Sequence, residues 1–131
     1  MADLHPGLKG RAETVVSPAN TADAVGSGLV PVFATPSMIA LMENAAVNAV
    51  LPCLGEDEGT VGTLLNVAHS SATPIGMKVW AEATLTAVEG KKLTYEVAAF
   101  DEAGEIGRGT HERFVIKPER FLVKAQGKLS K

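Results

Sequence analysis

The sequence predicts an α+β fold in which an antiparallel β-sheet wraps around one long central helix. Three observations lead to this prediction. One segment, residues 35–51, is apolar and has the start and stop signals of a helix. From residue 60 onward, apolar and polar residues largely alternate with the period of a β-strand. Short turns separate most of the alternating segments, and short turns join antiparallel neighbours.

Composition limits the class of protein. The chain has 131 residues, so we expect a single domain over residues 1–131, with a mobile N-terminus at 1–11. Its net charge of −3 argues against proteins that bind nucleic acid nonspecifically or coat a membrane surface. Cys53 is the only cysteine, so no internal disulfide can form and a reducing compartment is expected. We therefore predict a cytoplasmic protein with neither a nucleic-acid nor a membrane partner.

The segment before the helix is irregular in composition. Glu13–Val16 is a candidate short strand, and Ser17–Asn20 is typical of a turn because it contains proline. Gly26–Gly28 marks a flexible stretch. It precedes Leu29–Phe33, an apolar segment that we interpret as a lid or a loop.

The central helix is predicted over Thr35–Leu51. Thr35 is a suitable N-cap, and Pro36 suits the first helical position, where its missing N–H costs no hydrogen bond. Pro52 ends the helix because its ring cannot continue it. Apolar residues cover most of the helix surface: Met38, Leu41, Met42, Ala45 and Ala49 in one stripe, with Ile39, Ala46, Val47 and Val50 beside it. The helix should therefore be buried on most sides.

Four strands follow the helix. The first is predicted over Thr60–His69, and turns at Glu89–Lys91 and Asp101–Gly104 separate the later ones. Three sets of residues should each share one face of a strand: Met77, Val79, Ala81, Ala83, Leu85 and Ala87, then Leu93, Tyr95, Val97 and Ala99, then Ile106, Thr110, Phe114 and Ile116. Pro118–Gln126 is a short terminal helix or an extension of the chain. An edge strand of this sheet stays open, so we expect a homodimer or a higher oligomer.

Three residues are candidates for chemistry. Glu43 lies two turns inside the apolar helix, where a carboxylate must be paired, hydrogen-bonded or neutral. His69 ends a strand, so it is either an exposed loop side chain or a proton carrier. Thr35 is explained as a helix cap, although its hydroxyl could also face a ligand. His5 and His111 have weaker claims, since the first lies in the N-terminal segment and the second in a charged run.

Three segments together carry a resemblance to a known family. They are Val32–Ala45 (VFATPSMIALMENA), Gly59–Gly76 (GTVGTLLNVAHSSATPIG) and Gly104–Ile116 (GEIGRGTHERFVI). In this order and spacing they resemble the fluoroacetyl-CoA thioesterase-like branch of the hotdog-fold thioesterases, over about residues 32–121. The resemblance implies an antiparallel sheet around a central helix, assembly as dimers, and hydrolysis of a small or medium acyl-CoA thioester to a free acid and CoA.

The resemblance also implies roles for the three candidates. Thr35, Glu43 and His69 match the threonine, glutamate and histidine that the family uses in catalysis. Glu43 would act as nucleophile or as the general base that activates water, and the sequence leaves both routes open. His69 would shuttle a proton, and Thr35 would orient the carboxylate or the water. A wrapped sheet could bring the three together, within one chain or across a dimer interface.

Further positions match the substrate side of the family's site. Gly62 matches a glycine that lines the thioester pocket, and Phe33 fits the pattern before the threonine. Arg113 matches the arginine of the closing Thr-His-Glu-Arg segment, which would either contact the substrate or support the site and the dimer. Leu29 and Gly26 stand where the specialised fluoroacetyl-CoA enzyme has two lid phenylalanines, and this departure argues against fluoroacetyl selectivity. No metal and no separate cofactor are implied, because CoA enters as part of the substrate.

Functions other than hydrolysis make different demands on the sequence. A noncatalytic acyl-CoA-binding protein of the same fold would bind ligand without turnover. A hydratase or dehydratase usually needs an Asp and His pair within a characteristic segment, which the sequence lacks. A purely structural module would leave Glu43 unexplained. The sequence does not decide whether the acyl carrier is CoA or acyl carrier protein.

Overall fold

The chain runs from a short N-terminal strand through a loop region and a long helix into four further strands. A computed structural model describes residues 3–130. The strands are β1 (Lys9–Val15), β2 (Gly59–His69), β3 (Lys78–Glu89), β4 (Lys92–Asp101) and β5 (Gly104–Ile116). The α-helices are α1 (Ala22–Val25), α2 (Thr35–Val50) and α3 (Pro118–Gln126), with 3₁₀ turns at Pro18–Asn20, Leu51–Cys53 and Gly127–Ser130.

The strands form one antiparallel sheet in the order β1-β3-β4-β5-β2. β1 adds a further strand to the four that follow the helix, and it begins at Lys9, earlier in the chain than the predicted Glu13. Its partner is β3, from Lys9 opposite Thr84 to Val15 opposite Lys78. Residues 9–11, assigned to a mobile N-terminus by the sequence, therefore belong to this strand. β1 and β2 are the two edges of the sheet.

Helix α2 packs across one face of this sheet. All five residues of the predicted apolar stripe are buried: Met38, Leu41, Met42, Ala45 and Ala49. Gly10 on β1 lets the strand approach the helix closely, because a Cβ at that position would overlap the backbone of Ala45 and Ala49. One side of α2 stays open, where Ala40 and Asn44 are exposed.

The predicted start of α2 was wrong in one respect. Its N-cap is Ala34, which makes no side-chain capping bond, and Thr35 is the first helical residue, with Pro36 as the second. The Thr35 hydroxyl is instead engaged with another strand, as described below. The helix ends at Val50, just before the predicted end at Leu51, and Pro52 lies in the 3₁₀ turn that follows.

The predicted buried faces are confirmed on β3 from Val79 to Leu85 and on β4 from Leu93 to Ala99, but not on β5. Thr110 and Phe114 were expected to share a face with Ile106, yet both are exposed. The buried residues of the later part of β5 are His111, Arg113 and Val115. The pairing of β4 with β5 slips by one residue beside Ile106. A slip of one residue sends every later side chain to the other face of the strand.

Candidate active site

Thr35 and His69 meet at one end of α2. Thr35 Oγ1 lies 2.7 Å from His69 Nδ1, within hydrogen-bond distance, although the two residues come from the first turn of the helix and the last position of β2. Because the backbone of Ala34 begins the helix without a side-chain cap, the Thr35 hydroxyl is free to make this contact. The structure therefore brings two of the three predicted catalytic residues together.

The other ring nitrogen of His69 has a different environment. Nε2 is buried and has no hydrogen-bond partner among residues 3–130. Desolvation lowers the pKa of His69 below its ordinary value of 6.5, and the nearby backbone of Ser71 opposes this shift. A neutral imidazole with one uncommitted nitrogen is suited to accept or deliver a proton.

A cavity opens beside this pair. Its volume is about 280 Å³, and its lining includes Phe33, Thr35, His69 and the serines Ser27 and Ser71. Phe33 is buried, with 2% of its surface exposed, and its backbone N–H donates to the carbonyl of Thr73. The cavity therefore combines an aromatic wall with several hydroxyl groups next to the histidine.

The backbone behind the cavity is fixed by a buried carboxylate. Asp101 accepts a hydrogen bond from the Thr73 hydroxyl at 2.7 Å and two more from the N–H groups of Ala103 and Gly104. Thr73 in turn binds the backbone of Phe33. Through these bonds the β4–β5 turn holds both the loop after His69 and the segment that leads into α2.

Glu43 lies farther along α2 than Thr35 and has a different partner. Its Oε2 accepts a hydrogen bond from Arg113 Nη1 at 2.9 Å, which also makes an ion pair. The Glu43 side chain is 37% exposed and that of Arg113 is 6% exposed. The Glu43 carboxylate is thus paired, as one of the predicted alternatives has it, and its partner Arg113 lies on β5.

Gly62 lies directly against this pair. It stands opposite Arg113 in the pairing of β2 with β5. A Cβ at Gly62 would overlap Glu43 Oε2 and would lie 3.2 Å from Arg113 Nη1. The absence of a side chain at this position is therefore what leaves room for the carboxylate. Gly62 is also exposed, and it lies on an edge strand of the sheet.

Within one chain the structure does not bring all three candidates together. Glu43 follows Thr35 by eight helical residues, which places their Cα atoms about 12 Å apart along the helix axis. No hydrogen bond joins Glu43 to Thr35 or to His69 within the described part of the chain. Leu29 also lies apart, because it is 95% exposed and is not among the residues that line the cavity.

One residue of the site region was undervalued by sequence reasoning. His111 has a weaker claim in the sequence because it lies in a charged run, yet it is fully buried, and its Nε2 lies 3.1 Å from Arg113 Nη1. The signal was present in the spacing, since His111 and Arg113 stand two residues apart and share a strand face. The one-residue slip in β5 hid which face that was.

The described residues offer no obvious metal centre. No group of three or more His, Cys, Asp or Glu side chains between residues 3 and 130 is arranged to hold an ion. No helix in this range is both long and apolar enough to cross a membrane.

Comparison with known sequences finds close relatives. Residues 16–119 match the protein family described as FlK, fluoroacetyl-CoA-specific thioesterase. A fluoroacetyl-CoA thioesterase from Streptantibioticus cattleyicolor is 48% identical over 97 residues, which cover 74% of this chain and 70% of the relative.

Comparison with solved structures finds the same family. The structure of the fluoroacetyl-CoA thioesterase FlK superposes with a TM-score of 0.90 at 39% identity, covering 96% of this chain and 98% of the other. A hypothetical protein of Thermus thermophilus, a thioesterase superfamily member, superposes with a TM-score of 0.87 at 30% identity, covering 99% and 98% of the two chains. These matches confirm the predicted hotdog fold.

Proposed function

The chain belongs to the fluoroacetyl-CoA-specific thioesterase family and is a thioester hydrolase, and we propose that Thr35, Glu43 and His69 form its catalytic set. The proposed substrate is a small or medium acyl-CoA, which is cleaved to a free acid and CoA. The observation that carries this proposal is the 2.7 Å contact of Thr35 with His69 on the wall of a cavity. CoA is part of the substrate, and no further cofactor is proposed.

In the proposed reaction, Glu43 attacks the thioester carbonyl or removes a proton from the attacking water. His69 takes up a water-derived proton at Nε2, directly or through Glu43, and passes it to the departing CoA sulfur, so that the imidazole is neutral before and after the step; Nε2 is the ring nitrogen that makes no hydrogen bond within residues 3–130. Thr35 holds the imidazole through Nδ1. The backbone N–H groups near Gly62 stabilise the negative charge that develops on the carbonyl oxygen.

The substrate side of the site involves three more residues in this proposal. Phe33 forms the wall of the acyl pocket, whose volume of about 280 Å³ suits a short acyl group. Arg113 holds the Glu43 carboxylate at 2.9 Å. Leu29 is proposed to contact the substrate only after the exposed segment that carries it moves over the cavity.

We propose that the complete site forms between two copies of the chain. The roughly 12 Å between Thr35 and Glu43 along α2 is too long for both to reach one thioester carbonyl from the same chain. β2 is an open edge of eleven residues, and it carries no Asp, Glu, Lys or Arg that would block pairing with a second sheet. Leu64 on this edge is 46% exposed. Pairing of two β2 edges would place Glu43 of one copy near Thr35 and His69 of the other.

Thiol release from a panel of acyl-CoAs, from acetyl to aromatic, tests the hydrolase activity and identifies the substrate class. Turnover by the wild type that Glu43→Gln and His69→Ala both abolish is the expected result. Binding of acyl-CoA by a folded protein without any thiol release would instead favour a noncatalytic acyl-CoA-binding protein.

A mixture of two inactive variants tests the composite site. Glu43→Gln and His69→Ala, unfolded together and refolded as a mixture, should regain about a quarter of the wild-type activity, because half of the dimers are mixed and each has one intact site. If both residues act within one chain, the mixture stays inactive. Leu64→Glu, which places a charge on the β2 edge, should yield monomers in light scattering and lose activity with them.

A further inference from the structure

A fully buried histidine lies behind the pair of Glu43 and Arg113. His111 has no exposed surface, and its Cε1 lies 3.2 Å from the point where a Cβ of Gly62 would stand. Its Nδ1 is 2.8 Å from the carbonyl oxygen of Leu64, and its Nε2 is 3.1 Å from Arg113 Nη1. The imidazole therefore forms the floor of the niche that holds the Glu43 carboxylate.

The two contacts of His111 fix its tautomer. A carbonyl oxygen can only accept a hydrogen bond, so Nδ1 carries the proton and donates it to Leu64. Nε2 is then left with its lone pair and accepts from Arg113 Nη1. Desolvation lowers the pKa of His111, and the nearby Arg113 charge works in the same direction, while the Leu64 hydrogen bond, Glu43 and Glu112 oppose this shift. The buried imidazole is accordingly a neutral acceptor.

His111 completes the set of bonds that orients the guanidinium. Arg113 Nε donates to the Thr60 hydroxyl at 2.9 Å, and Nη2 donates to the Thr60 carbonyl at 3.0 Å. Nη1 carries two hydrogens, of which one goes to Glu43 at 2.9 Å and the other to His111. Without the imidazole, a buried N–H would lose its acceptor, and the guanidinium would turn to find another. Such a turn would move the hydrogen that Glu43 uses.

We propose that His111 is a positioning residue for thioester hydrolysis, because it accepts from Arg113 and thereby fixes the Glu43 carboxylate beside Gly62. This inference rests on the proposed function of Glu43. It assigns a role to the Thr-His-Glu-Arg segment in which the histidine and the arginine act as one unit. Glu112 between them points to the opposite face of β5 and takes no part.

Two substitutions separate the contacts of His111. In His111→Gln the side-chain amide extends toward the Nε2 position and can still accept from Arg113. In His111→Asn the shorter amide can donate to Leu64 but does not reach the guanidinium. If His111 only fills space, the two variants should have the same kcat or a kcat that follows thermal stability. If it positions Arg113, only His111→Asn loses the relevant bond.

Kinetics with acyl-CoA substrates and crystal structures of each variant test the proposal together. We expect kcat of His111→Asn to fall by about 10- to 100-fold with KM changed less than about threefold, while His111→Gln stays within about threefold of the wild type. The Arg113–Glu43 distance should lengthen in His111→Asn and persist in His111→Gln. Tyr95→Phe is the matched control for packing, because the Tyr95 ring stacks on His111 at 5.9 Å while its hydroxyl has no partner within residues 3–130.

The outcomes distinguish the two proposals. If the wild type releases thiol and His111→Asn does so equally fast, His111 is not a positioning residue and the hydrolase mechanism stands. An unchanged Arg113–Glu43 distance in the His111→Asn crystal structure also overturns the proposal. If the wild type hydrolyses none of the acyl-CoAs, the proposed function fails, and the crystal structures alone decide whether His111 holds the arginine.

Discussion

Thr35 Oγ1 lies 2.7 Å from His69 Nδ1, although 34 positions separate the two residues in the chain. The contact joins the first turn of the buried helix to the end of an edge strand. It uses a hydroxyl that the sequence assigns to helix capping, and it leaves His69 Nε2 without a partner among residues 3–130. The contact gives the Thr35 hydroxyl a partner other than the helix backbone, and the first prediction tests whether its proposed catalytic role is separate from a structural one.

Removing the Thr35 hydroxyl should reduce activity without weakening the helix. Thr35→Val keeps the shape of the side chain but loses the contact with His69, so we expect kcat to fall by about 10- to 100-fold. Thermal unfolding should change little, because Thr35 makes no capping bond. Thr35→Ser retains the hydroxyl and should recover most of the activity. A loss of melting temperature that parallels the loss of kcat would support capping instead.

Neutralising Glu43 should abolish turnover. Glu43→Gln keeps the size of the side chain but removes the charge that pairs with Arg113 and the group that attacks or activates water. We expect kcat to fall by about 100-fold or more, with acyl-CoA binding retained. Glu105→Gln is the matched control, because Glu105 pairs with Arg108 on the exposed surface. Equal activity of Glu43→Gln and the control would rule out a catalytic role for Glu43.

Two glycine substitutions should differ in whether they mainly reduce activity or mainly reduce stability. Gly62→Ala places a Cβ on Glu43 Oε2, the end of a half-exposed side chain that can move, so activity should fall far more than stability. Gly10→Ala places its Cβ on the backbone of Ala45 and Ala49, which cannot move without shifting α2. That variant should lose about 2 kcal/mol or more of unfolding free energy. Urea unfolding and thiol release, measured on both variants, check the contrast.

Acid should weaken the fold through two histidines. Desolvation lowers the pKa of His69 and of His111 below the ordinary value of 6.5. The unfolded chain therefore binds more protons than the folded one as the pH falls through about 6.5, so stability is full above that pH and declines below it. Urea unfolding at pH of about 7.5 and 5.5 measures the decline. The double variant His69→Gln, His111→Gln should have a flatter profile, and an unchanged slope would contradict the assignment.

The buried Asp101 should stabilise the loop behind the cavity. Asp101→Asn replaces one of the two carboxylate oxygens with an NH2 group, so either the Thr73 hydroxyl or the two turn N–H groups lose their acceptor. We therefore expect a loss of about 2 kcal/mol in unfolding free energy. Because Thr73 also binds Phe33, KM should rise as well. Asp57→Asn provides the control, since Asp57 is exposed and pairs with Lys117 on the surface. Similar stability of both variants would show that the Asp101 network contributes little.

Local patterns predicted the helices and strands well, because the apolar spacing of each element depends on residues that are close in sequence. The apolar stripe from Met38 to Ala49 follows from helical spacing, and the alternation from Leu93 to Ala99 follows from strand spacing. The prediction failed on β5, where the slip beside Ile106 exchanged the two faces. A slip of this kind depends on how two strands pair, and the glycines of β5, among them Gly107 beside the slip, permit it without fixing its position. Thr35 was assigned as a cap for a similar reason, since the pattern could not reveal His69 beside it.

The fold and the family could be predicted from the sequence, because residue type and spacing indicate a buried helix and an antiparallel sheet, and three segments in a fixed order carry the family resemblance. It also named Thr35, Glu43, His69 and Arg113. The contacts among these side chains became evident from the three-dimensional structure: Thr35 meets His69, and Arg113 meets both Glu43 and the buried His111. The physical reason is that these contacts join residues far apart in the chain, whose separation is fixed by strand register and helix packing and not by any local preference.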